Sequence, residues 1–257
     1  MARPTPPHPV LDKYYETQRE RESFVTALFD GAARHYERIG RILDLGSGPA
    51  YRRQALVRAG LRPGMTMLDV ATGTGLVARS GRRVVGEAGR VVGLDASRGM
   101  LGEARKGGLV GPLVQGRAEA LPFRDGQFDL LSMGFALRHI SDLGLAFQEY
   151  QRVLRPGGRL LLLEVSRPDS AVTRWLLQMH LQRVLPLIMR ITTRSRPAEL
   201  LMKYYWDTID QCVSPETILQ VLRESGFATA KRHVFAGFLS EYVAVTGESA
   251  LGAHSPR

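Results

Sequence analysis

The chain has 257 residues, of which 44% are hydrophobic and 23% charged, a balance typical of a folded globular protein. It has no uninterrupted apolar run of about 18 residues, so we expect no membrane-spanning helix. The single cysteine, Cys212, excludes an internal disulfide, lies in no metal-binding pattern and fits a reducing cytoplasm. The net charge of +10 suits an anionic membrane surface or an acidic substrate, or else reflects a genome-wide bias toward arginine. No zinc-finger or RNA-binding signature supports a nucleic-acid partner.

The first part of the chain predicts a tail followed by helices. Residues 1–10 are rich in proline and lack the apolar stretch of a secretory signal, so we expect a disordered tail. Residues 11–62 predict a helical cap, because Phe24, Ala27 and Leu28 recur at helical spacing and a second short helix ends at Gly60.

Residues 63–168 alternate between short apolar segments and helical ones, which predicts a doubly wound, mostly parallel sheet. A capping serine at Ser97 begins one of the helices. The predicted strands are Met67–Ala71, Arg90–Asp95, Val110–Gln115, Gln127–Met133 and Arg159–Val165.

The alternation stops after residue 168. Residues 169–212 predict a helical lid that is interrupted at Pro186. Residues 213–248 predict a helix capped by Ser214 and then an antiparallel pair of strands. The fold class is therefore α/β: a Rossmann-like seven-stranded sheet, mostly parallel with a C-terminal antiparallel strand, plus N-terminal helices and a lid insertion.

A glycine turn follows the first strand and points to a nucleotide site. Gly73 and Gly75 allow close backbone approach to a ligand, and open α/β sheets bind ligands at this edge. Asp95 ends the second strand about 20 residues later, where an acid can hold both ribose hydroxyls of NAD or of S-adenosyl-L-methionine. Asp69 would repel a pyrophosphate but attract the ammonium and sulfonium of S-adenosyl-L-methionine; alternatively, it hydrogen-bonds its own loop.

Four segments in this order resemble the motifs of class I S-adenosylmethionine-dependent methyltransferases: Met67–Gly75, the acid Asp95, Ala118–Phe123 and Arg155–Gly158. The resemblance implies S-adenosyl-L-methionine as cofactor and S-adenosyl-L-homocysteine as product. Many relatives have Asp or Asn where this chain has Arg117. The implied cofactor-binding residues are Asp69, Ala71, Thr72, Gly73, Gly75, Asp95, Ala96, Met100, Arg117, Ala118 and Glu119.

Two further segments, Arg152–Ser166 and Phe135–His139, resemble signatures of the ubiquinone/menaquinone biosynthesis C-methyltransferases, with His139 in place of an asparagine. The resemblance implies C-methylation of a quinol or a related phenolic, apolar small molecule. Candidate bases are His139 and Glu164, and Arg138 would stabilise a phenolate. The alternatives are a packing role for His139, a salt bridge for Arg138 and a structural role for Glu164.

The N-terminal signature of that family is poorly matched at Gly40, Gly48 and Tyr51. An O- or N-methyltransferase of a natural product or phospholipid therefore stays open. An NAD(P)-dependent reductase is less favoured because the sequence has no Tyr-x-x-x-Lys pair. A nucleotide binder that transfers no methyl group also stays open.

The lid combines apolar and basic residues, among them Trp175, Leu187, Arg183 and Arg190. Such a segment is compatible with peripheral contact with an anionic membrane at its inner face, with a homodimer interface, or with a solvated lid.

Overall fold

The computed structural model describes residues 4–43, 48–109, 111–193 and 195–248. Its strands are β1 (Thr66–Val70), β2 (Arg90–Asp95), β3 (Leu113–Gln115), β4 (Phe128–Gly134), β5 (Leu154–Val165), β6 (Phe227–Phe235) and β7 (Leu239–Thr246). Its helices are α1 (Gln18–Leu43), α2 (Gly48–Arg58), α3 (Leu76–Val85), α4 (Arg98–Lys106), α5 (Leu143–Val153), α6 (Ala171–Met179), α7 (Leu185–Thr193), α8 (Arg196–Asp210) and α9 (Pro215–Glu224).

The seven strands form one sheet in the order β3-β2-β1-β4-β5-β7-β6, in which β7 alone runs antiparallel to its two neighbours. This arrangement confirms the predicted fold class. The chain runs outward from β1 to β3 and then returns to place β4 beside β1. The strand order therefore reverses between β1 and β4, and a crevice for ligands opens at the carboxyl ends of these strands.

Among the five strands predicted in residues 63–168, most boundaries lie close to those observed, but two differ. β3 begins at Leu113, and Val110, where the prediction began, lies outside the described residues. β5 begins at Leu154, five residues before the predicted start at Arg159. The Pro-Gly-Gly segment lies inside β5 as an irregularity, because the pairing register with β4 shifts there. In the closing pair, the first strand was predicted over 231–238 and is β6, Phe227–Phe235.

The predicted lid region is helical, but its interruption comes before Pro186. A π turn over His180–Val184 separates α6 from α7. Pro186 has no N–H to donate to the carbonyl of Gln182, and its ring crowds that carbonyl. The wider turn relieves the conflict.

The expected disordered tail is wrong for residues 4–10. The Thr5 N–H donates to Asp142 Oδ2 at 3.1 Å, and the Thr5 carbonyl accepts from the Leu143 N–H at 2.9 Å. The Pro7 carbonyl accepts from the Val213 N–H at 2.8 Å, and His8 is buried. Prolines restrict the unfolded chain, so this extended segment loses less entropy when it packs.

Residues 1–3 lie outside the described residues, and the region boundaries at residues 62, 168 and 212 stay predictions. Within the described ranges, no helix has both the length and the apolar character needed to cross a bilayer.

Candidate active site

A cavity of about 560 Å³ lies between α1 and the carboxyl ends of β1, β2 and β4, and its volume is within the range of small-molecule sites. One wall comes from α1: Glu22, Ser23, Val25, Thr26, Ala27, Phe29, Asp30 and Tyr36. The other walls come from Ala71, Gly73, Leu94, Asp95, Ala96, Met100, Gly116, Arg117, Ala118, Glu119, Gly134, Phe135, Ala136, His139, Ile140 and Ser141.

The backbone is strained where the strands end at the cavity. Ala71, after β1, has φ 52°, and Phe135, after β4, has φ 60°, in the left-handed region that non-glycine residues avoid. Gly73 also has a positive φ, and a Cβ added there would contact nothing. Backbone strain of this kind is concentrated at functional sites. Glycine at residue 73 thus allows the positive φ of the loop and leaves open space beside the backbone.

The carboxylate of Asp95 lies at the cavity wall. Its Oδ2 accepts from the Gly73 N–H and its Oδ1 from the Ser97 N–H, both at 2.8 Å. Each oxygen keeps a lone pair for a further donor. Burial, assisted by the negative charge of Asp30, raises the pKa of Asp95 to about 6.

Asp69 lies beneath the glycine turn and is not one of the residues that line the cavity. Its Oδ1 accepts from Ser132 Oγ at 2.5 Å, and its Oδ2 accepts from Thr72 Oγ1 at 2.7 Å. These contacts fit the alternative, a carboxylate that holds its own loop, and direct contact of Asp69 with a ligand cation stays a prediction. Burial raises the pKa of Asp69 to about 6.

Thr72 and Gly75 also support the loop without lining the cavity. The Thr72 N–H donates to the carbonyl of Leu94 in β2, and the Gly75 N–H donates to the Thr72 carbonyl, both at 2.9 Å. The other predicted cofactor-binding residues line the cavity: Ala71, Gly73, Asp95, Ala96, Met100, Arg117, Ala118 and Glu119.

Arg117 faces α1. Its Nη2 donates to Glu22 Oε1 at 2.7 Å, and its Nη1 donates to the other oxygen of the same carboxylate. Ser141 Oγ donates to Glu22 at 2.7 Å, and the Ser141 N–H donates to Glu119 Oε1 at 2.5 Å. These contacts tie one end of the α1 wall to the loop after β3.

Asp30 ties down the other end of that wall. Its Oδ1 accepts from Ser97 Oγ at 2.5 Å and from the Gly99 N–H at 2.9 Å, where α4 begins. The stretch of α1 between Glu22 and Asp30 is thus anchored at both ends over the cavity.

His139 lies at the cavity wall among aromatic rings. Its ring stacks on Tyr204 at 5.5 Å and on Tyr205 at 5.9 Å between centroids, and meets the edge of Phe29 at 5.0 Å. Among the described residues, neither ring nitrogen has a hydrogen-bond partner. Burial, followed by the charge of Arg138, holds the pKa of His139 well below its usual value. The imidazole is therefore neutral at physiological pH.

Arg138 and Glu164 form a buried ion pair behind His139 and do not line the cavity. Their Nε and Oε1 atoms are 3.3 Å apart, too poorly aligned for a hydrogen bond, and the side chains are 1% and 2% exposed. Arg21 is also buried and donates to the Arg138 carbonyl at 2.7 Å. The ion pair fits the alternatives, a salt bridge for Arg138 and a structural role for Glu164, and a direct role of either residue toward an acceptor stays a prediction.

Sequence reasoning missed the contribution of α1. Helical spacing predicted the helix but not that Glu22, Phe29, Asp30 and Tyr36 face the cavity. The mismatched position Tyr51 lies in α2, where it packs on Phe235 rather than lining the cavity.

Comparison with known proteins decides which chemistry this cavity serves. The profile of the ubiE/COQ5 methyltransferase family matches residues 16–245. The chain belongs to this family. It is an S-adenosyl-L-methionine-dependent methyltransferase, as predicted, and not a nicotinamide-dependent reductase.

Curated relatives and solved structures agree with this assignment. The methyltransferase is 33% identical to the ubiquinone/menaquinone biosynthesis C-methyltransferase UbiE of Hahella chejuensis, over 82% of this chain and 86% of the relative. It is also 33% identical to the demethylmenaquinone methyltransferase of Symbiobacterium thermophilum, over 81% and 86%. A SAM-dependent methyltransferase structure from Thermotoga maritima shares the fold, with TM-score 0.61 and 20% identity over 86% of this chain and 99% of that one.

The buried pair behind His139 makes a stability prediction. Glu164→Gln keeps the side-chain volume but leaves Arg138 without its buried counter-charge, so we expect a loss of about 3–5 kcal/mol in urea unfolding. The matched control is Glu103→Gln, which breaks the far more exposed Lys106–Glu103 pair and should cost less than about 1 kcal/mol. Equal losses of unfolding free energy in the two variants would show that the buried Arg138–Glu164 pair stabilises the protein no more than the exposed pair does.

Proposed function

We propose that this methyltransferase transfers a methyl group to a ring carbon of a quinol or a related phenolic, apolar small molecule. The observation that carries the proposal is His139, a neutral imidazole with unpaired nitrogens in an aromatic wall of the cavity. The relatives named for ubiquinone and menaquinone biosynthesis support the same class of acceptor.

The cofactor half of the cavity has the features that S-adenosyl-L-methionine needs. The open space beside Gly73 admits an aminoacyl chain against the backbone, and the free lone pairs of Asp95 suit two ribose hydroxyls. Met100 and Ala118 supply apolar contacts for adenine, with Glu119 beside them. When bound, the cofactor supplies an electrophilic methyl group on a cationic sulfur.

The acceptor half suits an aromatic ring that carries a hydroxyl. Phe29 and Tyr36 from α1 and Phe135 after β4 provide faces for stacking. With its ring turned so that a nitrogen faces the cavity, His139 accepts a hydrogen bond from the hydroxyl and takes its proton as a general base, a weak one because its pKa is held low. Among the described residues, the buried Arg21 and Arg138 have one buried carboxylate beside them, Glu164, so the local field favours negative charge on the acceptor oxygen. Negative charge on this oxygen makes the ring carbon more nucleophilic.

An acceptor of this polarity partitions into lipid, so we also propose that the enzyme works at the inner face of a membrane as a peripheral protein.

A product search tests the function directly. The protein is incubated with S-adenosyl-L-methionine and a panel of quinols, phenols and phospholipids, and mass spectrometry follows the gain of one methylene mass. We expect gain on a quinol, with fragmentation that places the methyl group on ring carbon. Methyl gain on oxygen or nitrogen would favour the alternative acceptors, and no gain on any quinol would refute the proposal.

From the charge of the Asp95 carboxylate we predict both the strength and the pH dependence of cofactor binding. Its carboxyl has a pKa of about 6 in the free protein, so the charged acceptor is lost below that pH and affinity should fall as pH falls through 6. At pH 8, Asp95→Asn should weaken binding in calorimetry by roughly 5- to 150-fold, the equivalent of about 1–3 kcal/mol. The variant should also lose the pH dependence near 6. If that dependence persisted, it would belong to another group, such as Asp69.

Substitution of His139 is expected to lower turnover without weakening cofactor binding. His139→Ala should lower kcat by about 10²- to 10⁴-fold, the range for a general base, while the Kd for S-adenosyl-L-methionine stays unchanged. His139→Asn, which restores the residue of the related signature, keeps a hydrogen-bonding group and should retain more activity than alanine. Unchanged kcat in the alanine variant would remove His139 from the mechanism.

A further inference from the structure

The exposed apolar side chains of this enzyme are concentrated on one segment. Eleven large hydrophobic residues are exposed among those described, and six of them lie between residues 172 and 191, with 43–69% exposure. They are Val172, Trp175, Leu176, Val184, Leu187 and Ile191. An apolar concentration of this kind on a protein surface marks an interaction site.

The π turn brings these six side chains onto one face. Each residue of an α-helix advances by about 100°, and a π turn adds one residue to its turn. With that residue discounted, the six fall within roughly 60° of one direction along α6 and α7. In an uninterrupted α-helix, the last three would be rotated by about 100° from the first three. The turn before Pro186 therefore creates a continuous face, here called the outer apolar face.

The charged side chains that this segment itself carries are of one sign. Residues 171–193 contain Arg174, Arg183 and Arg190 and no acidic residue. Arg183 and Arg190 are exposed and lie along one flank of the outer apolar face. Trp175, the most amphipathic of the six, is 59% exposed. Tryptophan and arginine are the side chains that suit the boundary between headgroups and acyl chains.

We propose that the outer apolar face docks on the surface of an anionic lipid bilayer. Burial of its apolar side chains at the acyl boundary and attraction of the arginines to acidic headgroups act together there. A second copy of the same face is a poorer partner, because two-fold pairing would bring like charges together.

The position of this face relates it to the acceptor half of the cavity. α7 packs on α8, and α8 carries Tyr204 and Tyr205, which stack on His139. The outer apolar face and the aromatic wall thus belong to the same helical unit. Insofar as the acceptor is the apolar molecule of the proposed function, docking holds the catalytic cavity next to the phase in which that molecule dissolves.

Vesicle co-sedimentation tests the proposal with the full chain. Vesicles of phosphatidylcholine alone and of phosphatidylcholine with phosphatidylglycerol are compared at low and high salt. Wild type should sediment with the anionic vesicles, and less so at high salt. Trp175→Ser/Leu187→Ser/Ile191→Ser should weaken binding by more than about 10-fold. Arg183→Gln/Arg190→Gln should weaken it by roughly 30-fold at low salt.

Leu145→Ser/Arg105→Gln is the matched control, because it removes an exposed leucine and an exposed arginine from α5 and α4. It should bind vesicles like wild type. All variants should keep the melting temperature, the S-adenosyl-L-methionine affinity and turnover of a water-soluble short-chain quinol.

Wild type that fails to sediment with anionic vesicles would overturn the proposal, as would face variants that bind like wild type. A homodimer that dissociates in the triple variant, without vesicle binding by wild type, would assign the face to self-association instead. Failure of the proposed function has a different signature: vesicle binding would persist while no quinol is methylated.

Discussion

The buried carboxylate of Asp69 holds together the edge of the sheet on which the cofactor cavity depends. It accepts hydrogen bonds from Ser132 in β4 and from Thr72 in the glycine turn, so it joins the ends of two neighbouring strands to the loop. Burying a carboxylate is costly unless donors compensate it, and the raised pKa of Asp69 records the remaining cost. The loop held in this way directs the Gly73 N–H to Asp95 and so fixes the position of the Asp95 carboxylate at the cavity wall.

The α1 helix completes the cavity, and Arg117 is one of its anchors. The family resemblance implies an Asp or Asn at this position. In this chain, Arg117 forms a two-pronged ion pair with Glu22, while Asp30 binds the start of α4 at the other end. Arg117 therefore helps to hold α1 against the loop that follows β3. Glu119 accepts a hydrogen bond from the Ser141 N–H and lines the cavity.

Local patterns in the sequence predicted the sheet, the caps at Ser97 and Ser214 and the cofactor, because spacing and turn chemistry act over a few residues. Contacts across more than 60 residues could not be predicted in this way. Asp69 was expected to face a ligand, and only its distance to Ser132 shows that its carboxylate binds the neighbouring strand. The packing of residues 4–10 was missed for the same reason, since its partners lie near residues 142 and 213.

The N-terminal segment also affects the electrostatics of the site. His8 is buried beside Arg21 and Arg138, and burial, with the charge of Arg21, lowers the pKa of His8 to about 4. The segment thus covers the two arginines with a neutral group and adds no opposing charge. Charges covered by protein interact more strongly than charges in water, because the effective dielectric constant is lower. A segment far from the glycine turn therefore strengthens the positive field of Arg21 and Arg138 behind His139.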